Sequence, residues 1–288
     1  MDRTVLWVAR VAWLLLPVTV GAAASRAGSD TSTAIHAVAA VELWVLWAVG
    51  LVAALVPTTA SLTVLRLLAP APALVAAAAL IAHPDLVGVL GLVTGAVVAV
   101  AVFRPGLGRV FCQGSAYGDE ARYPLRPPGA LVLGPLPLLW LFMAAAVAGG
   151  PLLLAARQWA PGVVVTLIAA LALAVLPRRF HLLSRRFLVF VPAGLVVHDH
   201  LVLAETALFR WIEVRSVERA LSDTTALDLT GGALGAALEV TLDAEQTVVR
   251  ATGRARTPEV VATQAFLCRP TLLDDALAEA ASRRAARR

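Results

Sequence analysis

Six apolar stretches, at about residues 4–22, 35–56, 60–82, 86–103, 131–149 and 161–177, each approach the length of a membrane-crossing helix. A hydrocarbon core of roughly 30 Å takes about 20 helical residues. Surface helices of soluble proteins keep a polar face, which these stretches lack. Inside a bilayer every backbone group must be satisfied within the protein, so apolar runs of this length fold as helices. The sequence therefore predicts an α-helical transmembrane bundle of about six spans over residues 1–177. Pro135, Pro137 and the Gly149-Gly150-Pro151 exit predict kinks in the fifth span.

Composition divides the chain further. Hydrophobic residues make up 59% and charged residues only 15%, against about 45–50% and about 25% in soluble domains. Most of the acids nevertheless fall after residue 187, where the apolar period changes to that of strands. The short runs "FLVFV", "GLVVH", "LVLAETALF", "EVRSVERA", "TTALDLT", "ALEVTL", "QTVVRAT" and "VVATQAFL" are rich in Val, Leu and Thr and are separated by turn residues. A closing helix follows, with Thr271 and Asp274 spaced as a capping box and Leu272, Leu273, Ala276, Leu277 and Ala280 on one face. The expected domains are a helical membrane domain over 1–177 with a polar loop at 104–130, an interfacial linker over 178–187, and a β domain with a C-terminal helix over 187–288.

Arginine placement predicts orientation, because loops rich in basic residues stay in the cytoplasm. With both ends inside, Arg3, Arg104, Arg109, Arg122, Arg126, Arg178, Arg179, Arg185 and Arg186 flank the cytoplasmic face, and Arg26 and Arg157 the other. The first stretch also reads as a signal peptide with a small-residue cleavage site; apolar character beginning at Val5 favours an uncleaved helix. The expected location is the plasma membrane, multi-pass, with both termini cytoplasmic.

The residues "SRRFLVFVPAGLVVHD" and "FRWIEVRSVERA" resemble the bacterial pleckstrin-homology-like (bPH-type) domains attached to membrane proteins. Such domains begin with a basic-aromatic strand and turn at a Gly-Leu pair, here Gly194 and Leu195. The likeness covers about 187–285 and implies a PH-like β-barrel or sandwich with a C-terminal helix. Through "YGDEARYPLRPP" the whole chain also resembles actinobacterial multi-pass membrane proteins of this build. That resemblance carries an architecture and no activity. The β region has no dense basic loop, so phosphoinositide binding is not carried over.

Several constellations invite chemistry. Arg10, Glu42 and Arg66 fall within predicted spans, where a charge costs about 2.5–3.5 kcal/mol on insertion scales. Both arginines lie near predicted span ends and can snorkel. Glu42 cannot reach as far, and an ion pair with Arg10 is the expectation for it. His198-Asp199-His200 has a metal-like alternation, but its setting is a hairpin turn with no third ligand at a convincing spacing. "TGGALGA" leads into a strand and reads as a β-turn, not a phosphate cradle. Two distant cysteines, Cys112 and Cys268, do not suggest a disulfide framework. The pattern predicts no cofactor, no metal site, no nucleic-acid partner and no catalytic residues.

Candidate surfaces remain. Arg178, Arg179, Arg185 and Arg186, interleaved with Phe180, Leu182, Leu183 and Phe187, suit a short helix in an anionic headgroup layer. Arg283, Arg284, Arg287 and Arg288 suit the same surface. The polar segment "SAYGDEARYPLRPPGA", at 115–130, suits a docking loop: Asp119 and Glu120 meeting basic residues of the β domain or of 178–186, with Arg122, Tyr123 and Arg126 beside them. The functional expectation is a membrane-anchored binding or organising module, with anionic lipid and a protein partner at the β domain. The alternative is a transporter or transporter subunit with a polar site near Glu42.

Overall fold

The computed structural model describes residues 2–252 and 257–286. Among these, six helices are long and apolar enough to cross a membrane: span one, Thr4–Ala27; span two, Thr33–Leu55; span three, Thr59–Ala82; span four, Leu86–Phe103; span five, Pro135–Ala155; and span six, Trp159–Ser184. Two compact units form. One comprises residues 1–111 and 137–181, the other 112–136 and 182–288. The units thus interleave along the chain, and the polar segment belongs with the sheets.

Local chemistry sets the span boundaries. Ser32, Thr58 and Asp85 cap spans two, three and four, accepting from the backbone N–H of Ile35, Ser61 and Gly88. Span five does not stop at Gly149-Gly150-Pro151 but runs on to Ala155 with Pro151 inside it. It ends where Arg157 turns left-handed at φ 59°, with Arg157 and Gln158 donating to the carbonyls of Leu154 and Leu153 in a Schellman-type closure. Span six continues through Pro177 to Ser184, so 178–184 form its last turns and not a separate interfacial helix.

Tryptophans and glycines join the spans. Pro17 has no N–H for the carbonyl of Trp13, and a π-helical stretch, Pro17–Gly21, follows. Trp47 donates its indole N–H to that Trp13 carbonyl at 3.0 Å, and Trp13 donates back to the Trp47 carbonyl at 3.0 Å. The Trp13 ring lies directly over Gly50, where no β-carbon would fit. Span four carries Gly91 and Gly95 four apart, the small-residue spacing that lets membrane helices approach closely. A β-carbon at Gly95 would lie 2.6 Å from the Ala73 backbone nitrogen.

Among the described residues the second unit holds two four-stranded sheets. The first has the order β1 (Ala121–Pro124), β2 (Phe187–Phe190), β3 (Gly194–His198) and β4 (Ala207–Arg210). The second has the order β5 (Val214–Arg219), β7 (Leu238–Thr252), β8 (Thr257–Cys268) and β6 (Leu227–Asp228). "LVLAE" is a turn, not a strand, while "ALEVTL" and "QTVVRAT" fuse into one long β7 across an irregularity between Thr241 and Gln246. The sheets do not close into a barrel; Leu203 bridges to Arg250 between them. Tyr123, Leu188, Phe190 and Phe209 of the first sheet share a core with Val240, Leu242 and Phe266 of the second. Phe209 stacks on Phe266 at 4.5 Å. Each such side chain contributes about 1.5–3 kcal/mol on full burial.

The C-terminal helix, Leu273–Ala285, turns Leu273, Ala276 and Ala280 into this core. Its N-cap is Leu272, without a side-chain cap bond, so the capping box expected at Thr271 does not form. Thr271 instead extends the ladder, donating its backbone N–H to the Pro124 carbonyl. The helix shields the outer edge of β5: Arg219 pairs with Asp274 at 2.6 Å, and Arg284 donates to the Arg215 carbonyl. Exposed strand edges invite pairing with other chains, and this cover removes one.

Candidate functional site

The polar segment supplies β1, and its sequence explains how. In "ARYPLR" the residues Ala121, Tyr123 and Leu125 alternate with Arg122, Pro124 and Arg126, so one face is apolar. Tyr123 is 1% exposed, meets Phe190 edge-on at 5.5 Å between ring centroids, and donates its hydroxyl to the Asp275 carbonyl. The ladder is antiparallel, from Ala121 opposite Phe190 to Pro124 opposite Phe187. Proline is tolerated because β1 is an edge strand. Gln113 covers the open side: its amide accepts from Arg122 N–H at 3.0 Å and donates to the Glu120 carbonyl at 2.6 Å, as a neighbouring peptide would.

The remaining candidate loop residues divide. Asp119 pairs with Arg283 of the C-terminal helix at 3.2 Å. Glu120 stays local, pairing with Arg122 at 2.7 Å. Arg126 donates to the Leu234 carbonyl, its guanidinium lying over Gly235, whose φ of 103° suits glycine. "TGGALGA" is accordingly a turn: Gly231 and Gly232 also have positive φ, and the Gly232 carbonyl accepts from Gly129 N–H. Arg287 and Arg288 lie outside the described residues.

Arg186 corrects the membrane-surface expectation. It is 1% exposed and grips Asp199 with two bonds, Nε to Oδ1 at 2.8 Å and Nη2 to Oδ2 at 2.6 Å. Its Nη1 donates to the Arg126 carbonyl and its Nη2 also reaches the Thr230 carbonyl at 3.4 Å. A buried guanidinium needs this full set of acceptors, and β2, the β3 turn, β1's exit and the glycine turn converge to provide it. Asp199 is therefore an internal anchor and not a surface turn residue. Arg178, Arg179 and Arg185 are exposed.

Asp199 also acts on its neighbours. Burial pushes the Cys268 thiol up to about 12, with the Asp199 carboxylate adding to the shift, so this cysteine stays protonated and inert. His198 is held below its ordinary 6.5, chiefly by burial and then by the charge of Arg185, while Asp199 opposes. Its Nδ1 lies 2.9 Å from the Thr206 hydroxyl.

Within the spans, the expected Arg10–Glu42 pair does not form. Arg10 donates Nε to the Ala54 carbonyl at 3.0 Å and Nη2 to the Leu55 carbonyl at 3.4 Å, satisfying acceptors that the end of span two leaves free. Ala54 lies about 18 Å beyond Glu42 along the same helix, at 1.5 Å per residue. Glu42 precedes Trp47 by as many residues as Val18 follows Trp13, so it sits at the depth of the π-helical stretch. Among the described residues no hydrogen-bond partner meets its buried Oε1. Arg66 lies one turn beyond Thr63, whose hydroxyl is 2.9 Å from His181 Nδ1.

One surface of the β unit was not singled out by sequence. β4 is an edge strand, with Leu208 52% exposed, and Ile212 just beyond it is 80% exposed. Arg210 sits between them, paired with Glu213 at 2.6 Å. "FRWIE" contained the signal: Phe209 and Trp211 alternate inward, which turns Leu208, Arg210 and Ile212 outward. No family model, curated protein or solved structure matches the chain.

Proposed function

We propose that this multi-pass protein is a membrane-anchored binding or organising module, acting through its β unit on a protein partner. In this reading the unit is of the bacterial PH-like kind and lies on the cytoplasmic side of the plasma membrane of an actinobacterium. Two sheets followed by a C-terminal helix and the arginine-rich flanks support that assignment. The observation that carries the binding role is the exposure of Leu208 and Ile212 at the terminal strand β4, beside Arg210. Exposed apolar side chains on an edge strand are what a partner strand or loop engages. A photo-crosslinking residue at Leu208 or Ile212, activated in native membranes, should give a discrete adduct. Leu221, whose exposure lies between those of Leu208 and Ile212, serves as the control; adducts equal to the control, or none, reject the reading.

Transport is the second reading, favoured by the unpartnered Glu42 oxygen beside the π-helical stretch of span one. Intramembrane carboxyls mark ion and proton paths in transporters. Such a path must carry water to the residue. Glu42→Cys should then react with a water-soluble maleimide in membranes, and absence of labelling rejects transport.

A further inference from the structure

Beside the packed spans one and four lies an open groove of about 460 Å³ on the apolar surface of the bundle. Trp7, Val8, Val11 and Leu15 line it from span one, and Val93 and Val97 from span four. The two helices run antiparallel, since Gly91 backs onto the carbonyl of Thr19 and the α-carbon of Val20. The Val97 end of the groove therefore lies toward the start of span one.

Cations gather at that end. The Arg10 guanidinium carbon is 5.3 Å from the centroid of the Trp7 ring that walls the groove. Its bonds to the Ala54 and Leu55 carbonyls place it level with the end of span two. Arg104 is exposed and is the extended C-cap residue of span four, seven residues past Val97. An apolar groove walled by Trp7 with Arg10 over that ring, and with Arg104 just past span four, has the polarity of one lipid chain and its phosphate.

We infer that the groove is a binding site for a single anionic phospholipid, one acyl chain lying along Val8, Val11 and Val97 and the phosphate held by Arg10 and Arg104. Basic residues between membrane helices recognise anionic headgroups in this way, and indole rings favour the same depth. A helix from another chain would fill the apolar length but leave the arginines facing uncharged backbone.

Native mass spectrometry of the full chain, released from detergent with equal phosphatidylglycerol and phosphatidylcholine of identical chains, tests this. One retained phosphatidylglycerol, favoured about tenfold or more over phosphatidylcholine, is the expected result. Arg104→Gln should reduce that preference severalfold, Arg10→Gln with Arg104→Gln should bring it near parity, and Val11→Trp should abolish retention of both lipids. Because Arg10 also closes span two, the Arg104 and Val11 variants carry the test if the double variant does not assemble. Equal retention of the two lipids, a preference untouched by Arg104→Gln, or a dimer dispersed by Val11→Trp in place of a lipid adduct would overturn the assignment.

Discussion

A guanidinium and a carboxylate buried side by side are stable only together. Arg186 and Asp199 are both nearly inaccessible, so Asp199→Ala leaves an uncompensated buried charge and should cost about 3–5 kcal/mol. Replacing both with apolar residues should cost less, measured by urea unfolding of the β unit through Trp211 fluorescence. His198 gives the unit a pH dependence of definite sign. Its folded-state value lies below the ordinary 6.5, so the unfolded chain takes up more protons in that range. Stability is then full above 6.5 and falls as the pH drops through the ordinary value toward the depressed one; His198→Phe should flatten this limb. Glu213, held below its ordinary 4.5 by hydrogen bonds from Arg210, loses its contribution only at lower pH, which separates the two. In the membrane unit, Arg157 occupies a left-handed position that costs an L-residue about 1–2 kcal/mol. Arg157→Gly should raise resistance to SDS unfolding by about 1 kcal/mol.

At the scale of elements, β1 shows how a strand can be legible and still be missed. "ARYPLR" alternates with period two, but Pro124 argues against a central strand, and its place between spans four and five suggests a connector. Nothing local marks an edge strand whose partner, Phe187–Phe190, lies beyond two further spans. Residues 182–288 alone should therefore show no cooperative unfolding transition, since they lack Tyr123 and Leu125 from the core. Supplying 112–128 as a fused N-terminal segment should restore one; a sharp transition without it rejects the structural role of β1. The C-terminal helix was readable from its apolar face, whereas its cap was not, because backbone pairing of Thr271 with Pro124 decided where the helix could begin. The Gly91–Gly95 spacing stood in the sequence as well, but which helix it admits depends on packing.

Over the whole molecule, pairing of β1 with β2 constrains membrane topology. Segments 112–136 and 182–288 form one unit, which requires spans five and six, in crossing a membrane, to leave one face and return to it. Cysteines placed at Tyr117 and Leu221, 87% and 73% exposed, should react with an impermeant thiol reagent from the same face. Labelling from opposite faces would rule out this arrangement. Six apolar lengths, the change of period after residue 187 and the arginine bias were properties of the sequence alone, because bilayer thickness and backbone hydrogen bonding act on each segment separately. The fate of individual charges was decided only by tertiary structure. Arg186 turned inward to Asp199, Arg10 to the end of span two, and Glu42 kept no partner for Oε1. Charge and hydropathy are read locally, whereas the partner that makes a buried charge tolerable comes from whatever element the fold brings beside it.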